Sequence, residues 1–206
     1  MINFLHKKVA CKKIGIALSV AIVAWFFGFE LLALLALAVV LVYGYLYRKT
    51  EFNFSFEKND IIAPVDGIVS SIAITDDGMH QIVIESSLYD EASLRVPMSD
   101  VTVSSIKLFR GARLDRSSQL FDDLGEKLKV EFTHINGEKI TLIHQLQRSI
   151  IPIELFVSEG STVECKSTYG IAHNAITTLI LPKTVHLDLQ VGEHILSAQT
   201  TIAKFH

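Results

Sequence analysis

Residues 14–47 carry a single charge, Glu30, and this run constrains the fold more than any other feature of the chain. As one helix of 34 residues it would be about 51 Å long, against a hydrocarbon core of ~30 Å. One untilted span does not fit. Gly28, Phe29 and Glu30 divide the run into residues 14–27 and 31–47, which predicts a two-helix transmembrane hairpin. Lys12 and Lys13 precede the first half, and Arg48 and Lys49 follow the second. By the positive-inside rule both ends then lie in the cytoplasm. Trp25 near the turn and Tyr43, Tyr45 and Tyr47 at the exit suit interfacial aromatic positions. A cleaved signal peptide is disfavoured, because the apolar region is too long and no small-x-small site precedes a polar stretch. Glu30 is read as a turn residue in water, the alternative being a functional acid held in lipid.

The net charge of −3 averages two unlike parts. Residues 1–50 hold six basic residues against one acidic, and the remainder holds 13 basic against 21 acidic. An acidic body excludes a nucleic-acid partner, which would require a basic face to displace counterions from phosphates. Two cysteines, Cys11 and Cys165, cannot build a disulfide framework or a zinc cluster, and the eight histidines show no metal-ligand spacing. No metal site is expected.

The expected organisation is a basic cytoplasmic N-terminus (1–13), the hairpin (14–47), a polar linker (48–60) and a β domain (61–206). In the last, apolar residues recur with period two between turn signals, and helical periodicity is nearly absent. Residues 68–74 and 81–84 flank Asp76-Asp77-Gly78 as a hairpin. Residues 127–135 and 139–146 flank Asn136-Gly137, the strongest short hairpin signal in the chain. Residues 185–191 and 195–202 flank another turn at Gly192-Glu193. Residues 113–124 are polar and irregular, a loop with room for one helical turn. Turn glycines in Val157-x-x-Gly160-x-x-Val163 and Val191-Gly192-x-x-Ile195 give the body a barrel-sandwich character, without the modified lysine of the lipoyl and biotinyl carriers. The fold class expected is therefore an all-β soluble domain, barrel-sandwich-like, behind a two-helix transmembrane hairpin.

Taken in order, these segments resemble the short, membrane-anchored phosphatidylserine decarboxylases. Members of that family begin with a hydrophobic hairpin, continue with Pro-Ala-Asp-Gly, then Asp-Val-His-Val-Asn-Arg-x-Pro, and near the end carry Phe-Gly-Ser-Arg and a strand closing on Leu-Pro. This chain has Pro64-Val65-Asp66-Gly67 at the first station. At the second it has Asp90-Glu91-Ala92-Ser93-Leu94-Arg95-Val96-Pro97, and near the end residues 157–170 followed by Leu181-Pro182. The resemblance covers about residues 12–203. It implies an enzyme that cuts its own chain at a serine, whose hydroxyl attacks the preceding carbonyl. Elimination then leaves a pyruvoyl group that holds the lipid amine as a Schiff base while carbon dioxide departs. The resemblance also implies an Asp and a His that activate the serine.

This chain departs from the family pattern at those residues. The family histidine falls on Ala92. Counting back from Pro182 puts the family serine on Ala175, and counting forward from Gly170 puts it on Ile176. Neither side chain has a hydroxyl to attack or a β-oxygen to eliminate, so no pyruvoyl cofactor can form at Ala175. Asp66 remains as a triad remnant, with the competing reading of a turn aspartate bonding its own backbone. Arg95 matches the family arginine and is a candidate for a lipid phosphate, against a solvated strand-end arginine. Thr177 and Thr178 lie close enough to the lost serine to act as displaced nucleophiles, though no base is evident for them. His173 and Cys165 are read as structural.

The functional expectation is a phosphatidylserine decarboxylase-like protein of the cytoplasmic membrane, linked to phospholipid metabolism. It is expected to be catalytically inactive and to act as a lipid-binding or partner subunit, its β domain in the cytoplasm. The partners expected are membrane phospholipid and either a homo-oligomer or a lipid-synthesis enzyme. Two alternatives stay open: an active decarboxylase with a displaced nucleophile, and a membrane-tethered barrel-sandwich adaptor that binds proteins.

Overall fold

A computed structural model describes residues 7–49 and 55–205. The first six residues of the basic N-terminus and residues 50–54 of the expected linker lie outside the described residues. The chain divides into two compact units, residues 1–51 and 52–206.

The first unit is a helical hairpin of α1 (Lys7–Phe26) and α2 (Glu30–Leu46). Gly28, at φ +79°, provides the left-handed residue that ends α1, and the Phe29 amide closes the turn on the Ala24 carbonyl at 2.8 Å. Ala21, Ala24 and Ala36 are buried between the helices, while Ile22, Trp25, Phe26 and Leu31 face outward. Lys13 donates to the Tyr47 hydroxyl and lies 4.8 Å from the centre of its ring, joining the start of one helix to the end of the other. Glu30 is exposed as the first residue of α2, where a negative charge meets the helix dipole favourably.

These lengths correct the transmembrane expectation. The 17 residues of α2 extend about 26 Å, short of the ~30 Å hydrocarbon core. The 20 residues of α1 include Lys7, Lys8, Lys12 and Lys13 within the helix, so its apolar part is shorter still. No helix among the described residues is long and apolar enough to cross a membrane. The two-helix transmembrane hairpin, and with it the multi-pass placement in the cytoplasmic membrane, is not supported.

The second unit is built mostly of β-strands. In chain order they are β1 (Asp60–Ile62), β2 (Gly67–Ile74), β3 (His80–Glu85), β4 (Ser93–Arg95), β5 (Val101–Phe109), β6 (Lys127–His134) and β7 (Lys139–Leu146). There follow β8 (Glu154–Leu155), β9 (Thr162–Val163), β10 (Thr168–Ile171), β11 (Ala175–Leu181), β12 (Val185–Leu187), β13 (His194–Ile195) and β14 (Thr201–Phe205). One turn of helix, α3 (Phe121–Leu124), lies where the polar loop was expected. Eight strands form an antiparallel sheet in the order β13-β2-β3-β11-β7-β6-β5-β9, and two three-stranded sheets, β1-β14-β12 and β4-β10-β8, complete the unit.

The alternation read from the sequence governs the main sheet. Leu128, Val130 and Phe132 of β6 and Ile140 and Leu142 of β7 are fully buried, with the intervening polar residues outward. The expected β2–β3 and β6–β7 hairpins form. The turn at Gly192 exists, but β13 pairs with the open edge of β2, Ile195 opposite Gly67, while β12 pairs with β14. Pairing this way seats Ile195 in the core and covers a strand edge that would otherwise stand unpaired.

The registers bring one end of the large sheet together. Gly67, Glu85, Ala175, Leu146, Lys127 and Phe109 all lie at the same end of their strands.

Candidate functional site

Asp66 precedes β2 at that end. Its Oδ1 accepts the Ser197 amide at 2.7 Å and its Oδ2 the Glu91 amide at 3.3 Å, so the carboxylate ties two distant segments rather than its own turn. Burial pushes the Asp66 carboxyl above its ordinary range, partly offset by the Ser197 hydrogen bonds, with the neighbouring Glu91 charge acting in the same direction as burial. Ser86 links Asp66 to β11: its hydroxyl donates to the Asp66 carbonyl and its amide to the Ala175 carbonyl at 2.9 Å. The carbonyl of Ala92 accepts the Ala172 amide at 2.9 Å. Asp66, Ala92 and Ala175, which are far apart in sequence, thus meet in one region.

The region holds no nucleophile where the family pattern requires one. Ala175 is buried, with its carbonyl bound by Ser86 and its position in β11 opposite Leu146. Ile176, the other candidate for that position, is also buried. The residues present do not fit a pyruvoyl group. Arg95 is buried rather than open to a ligand: its Nη2 donates to Glu91 Oε1 at 2.7 Å, and Ser93 donates to the same oxygen. His173 is buried two residues before Ala175, and Thr178 is half-buried on β11. Burial pushes the Cys165 thiol up, which leaves it protonated and unreactive near neutral pH. Among the described residues no three His, Cys, Asp or Glu side chains converge as a metal site.

Two polar clusters escaped the sequence reading. His144 on β7 lies directly opposite Thr177 on β11. Its Nδ1 is 2.8 Å from the Thr177 hydroxyl and its Nε2 2.6 Å from the Tyr169 hydroxyl, with all three side chains fully buried. Burial holds the imidazole pKa down at about 3 and drives the Tyr169 phenol well above its ordinary value. The signal was in the alternation Ile140, Leu142, His144, Leu146, which points the histidine inward with its neighbours.

The second cluster centres on Glu126, only 1% exposed, which binds Arg110, the Arg113 Nε at 2.9 Å and the Ile153 amide at 3.1 Å. Arg110 also donates to the Ile153 carbonyl at 3.0 Å and Arg113 to the Ile150 carbonyl at 2.7 Å. The carboxylate therefore fastens the loop 110–125 to the segment 147–153. Because both guanidiniums reach solvent, Glu126→Gln lets them rehydrate, and we expect a loss of about 1–2 kcal/mol in urea unfolding. A change below the error of the measurement would show that Glu126 does not hold the two loops.

Two curated proteins match the chain, both named phosphatidylserine decarboxylase proenzyme. The one from Streptomyces avermitilis is 26% identical over 168 residues, which is 80% of this chain and 76% of that protein. The one from Streptomyces coelicolor is 26% identical over the same length, 75% of its own chain. No family model matches the chain. No solved structure matches it. The matched span takes in most of the β unit, and the relationship agrees with the motifs read along the sequence: the chain is a relative of the phosphatidylserine decarboxylase proenzymes.

Proposed function

We propose that the chain serves phospholipid metabolism without decarboxylating, as a phospholipid-binding subunit. The observation that carries this reading is the pair Ala92 and Ala175, which stand beside Asp66 at the positions where the resemblance read along the sequence calls for histidine and serine. A methyl group at either place can neither accept a proton nor open the preceding peptide bond. The aspartate that remains is engaged in holding the segments together. A non-catalytic protein of this descent keeps a binding scaffold for the phospholipid class and loses the group that turns it over.

One observation favours a second reading. Thr177 lies two residues from Ala175 with a hydroxyl 2.8 Å from an imidazole nitrogen, the arrangement of an activated nucleophile. The surroundings weigh against it. Thr177 is fully buried in the middle of a ladder paired on both sides, and an imidazole with a pKa of about 3 is a feeble base. Such a triad serves more readily as a satisfied polar contact in the core.

Intact mass of the purified full chain decides between them. The expected result is one species near 22.9 kDa that does not react with a carbonyl reagent. A split near Ala175 or Thr177, leaving a carbonyl-reactive N-terminus on the C-terminal piece, would overturn the proposal. Its binding half is tested by titration with short-chain phosphatidylserine and phosphatidylethanolamine: saturable binding is expected, and no heat or shift with either would sink that half.

A further inference from the structure

Of the five arginines of the β unit, Arg95 is buried against Glu91, and the other four, Arg110, Arg113, Arg116 and Arg148, lie at or beside the Ala175 end of the large sheet. Its lysines, by contrast, are spread along the chain. Arg113 reaches from the loop 110–125 to the Ile150 carbonyl, Arg148 pairs with Asp115, and Arg116 pairs with Glu85 at the end of β3. Asn174, next to Ala175, exchanges hydrogen bonds with Gln147 at 2.7 and 3.0 Å, which sets the segment 147–153 at the edge of the same region. Large apolar side chains project from three loops here. Leu88 follows β3, Leu124 ends α3, and Ile150 is 92% exposed.

We infer that this rim of loop tips is the surface by which the β unit docks on a phospholipid layer. The inference rests on the phospholipid reading above and gives it a place. Arginine suits the role because its planar fork can keep a carboxylate on one edge and still offer donors to a phosphate on another. Apolar tips beside those guanidiniums can enter the boundary between headgroups and acyl chains. A body with 21 acidic and 13 basic residues is not drawn to an anionic surface by its overall field, so attachment has to be local. The rim offers such a local site through its guanidinium forks and apolar tips rather than through net charge, since Glu85, Asp115 and Glu126 pair with these arginines and Asp122 and Asp123 share their loop; it lies at the sheet end that carries Gly67 and Ala175.

The opposite end of the sheet supplies a control. Ile135, at the turn of the β6–β7 hairpin, is 81% exposed, as apolar as Ile150 and without an arginine in the same loop. In the full chain with Trp25→Phe, a single tryptophan is introduced as Ile150→Trp or as Ile135→Trp. Both proteins are mixed with vesicles of phosphatidylcholine and phosphatidylserine, with and without brominated acyl chains. Brominated chains are expected to quench the tryptophan at 150 and to leave the one at 135 unquenched. Quenching at 135 equal to or above that at 150, or none at 150, would overturn the inference. Arg148→Gln is expected to weaken vesicle binding about fivefold, the effect of one basic charge near a lipid surface. An unchanged affinity counts against the rim. If short-chain lipid binds while position 150 stays unquenched on vesicles, the docking surface fails and the functional reading survives.

Discussion

Lowering the pH from 6.5 towards 3 is expected to destabilise the protein by about 4–5 kcal/mol through one side chain, His144. In the unfolded chain its imidazole takes up a proton near pH 6.5, whereas burial holds the folded value at about 3. The unfolded state therefore binds more protons across that window. The stability present above pH 6.5 falls as the pH drops, by about 1.4 kcal/mol per unit. Asp66 acts in the opposite direction. Its folded pKa is raised, so acidification through that range recovers stability rather than removing it. Urea unfolding at pH 7, 6, 5 and 4 measures the combined slope, and His144→Gln isolates the histidine. The amide preserves polar contacts to Thr177 and Tyr169 while removing the titration, so the variant should be weaker at pH 7 and lose the slope. Equal slopes in both proteins would show that His144 is not held neutral in the core.

The same residue shows how the sequence was legible and where it was not. Period-two alternation and the Asn136-Gly137 turn are local signals, and β6 and β7 formed as read. The pairing of β13 with β2 depends on which strand edge stands open after the rest of the sheet has assembled, and no local pattern at Gly192 carries that. The apolar run was visible, but its division was not: Lys12 and Lys13 fall within α1 rather than before it, which shortens the apolar helix below a membrane span. The order of Asp66, Ala92 and Ala175 along the chain is visible in the sequence, but their proximity is not. The hydrogen bonds that fix Asp66 come from Ser197 and Glu91, 131 and 25 residues away, and such partners emerge only from the fold. For Arg95 the sequence leaves open a lipid phosphate or a solvated strand end, and the side chain is instead buried against Glu91, because an arginine four residues from a glutamate gives no sign of its burial.

Gly67→Ala is expected to cost about 3–5 kcal/mol, far more than any change at the aspartate beside it. Gly67 has φ +154°, a conformation almost closed to residues with a Cβ. A methyl placed there would lie 2.5 Å from the Glu85 carbonyl oxygen and 2.9 Å from its carbon. Both are backbone atoms of β3 and cannot swing aside. Relief requires β2 to lift from β3 where Ile68 faces Glu85, and Ile195, paired with Gly67 itself, would lose its place in the core. For a protein of this size the melting temperature should fall by roughly 10 °C. Asp66→Asn keeps an acceptor for the Ser197 amide and removes a charge that burial already disfavours, so its cost should stay near 1 kcal/mol. The comparison assigns the Pro-Val-Asp-Gly motif its role. If the glycine dominates, the motif persists beside Ala92 and Ala175 because the backbone of β2 must pass this close to β3. If Asp66→Asn proves the costlier change, the carboxylate charge itself sustains the region, and the motif is more than a fold requirement.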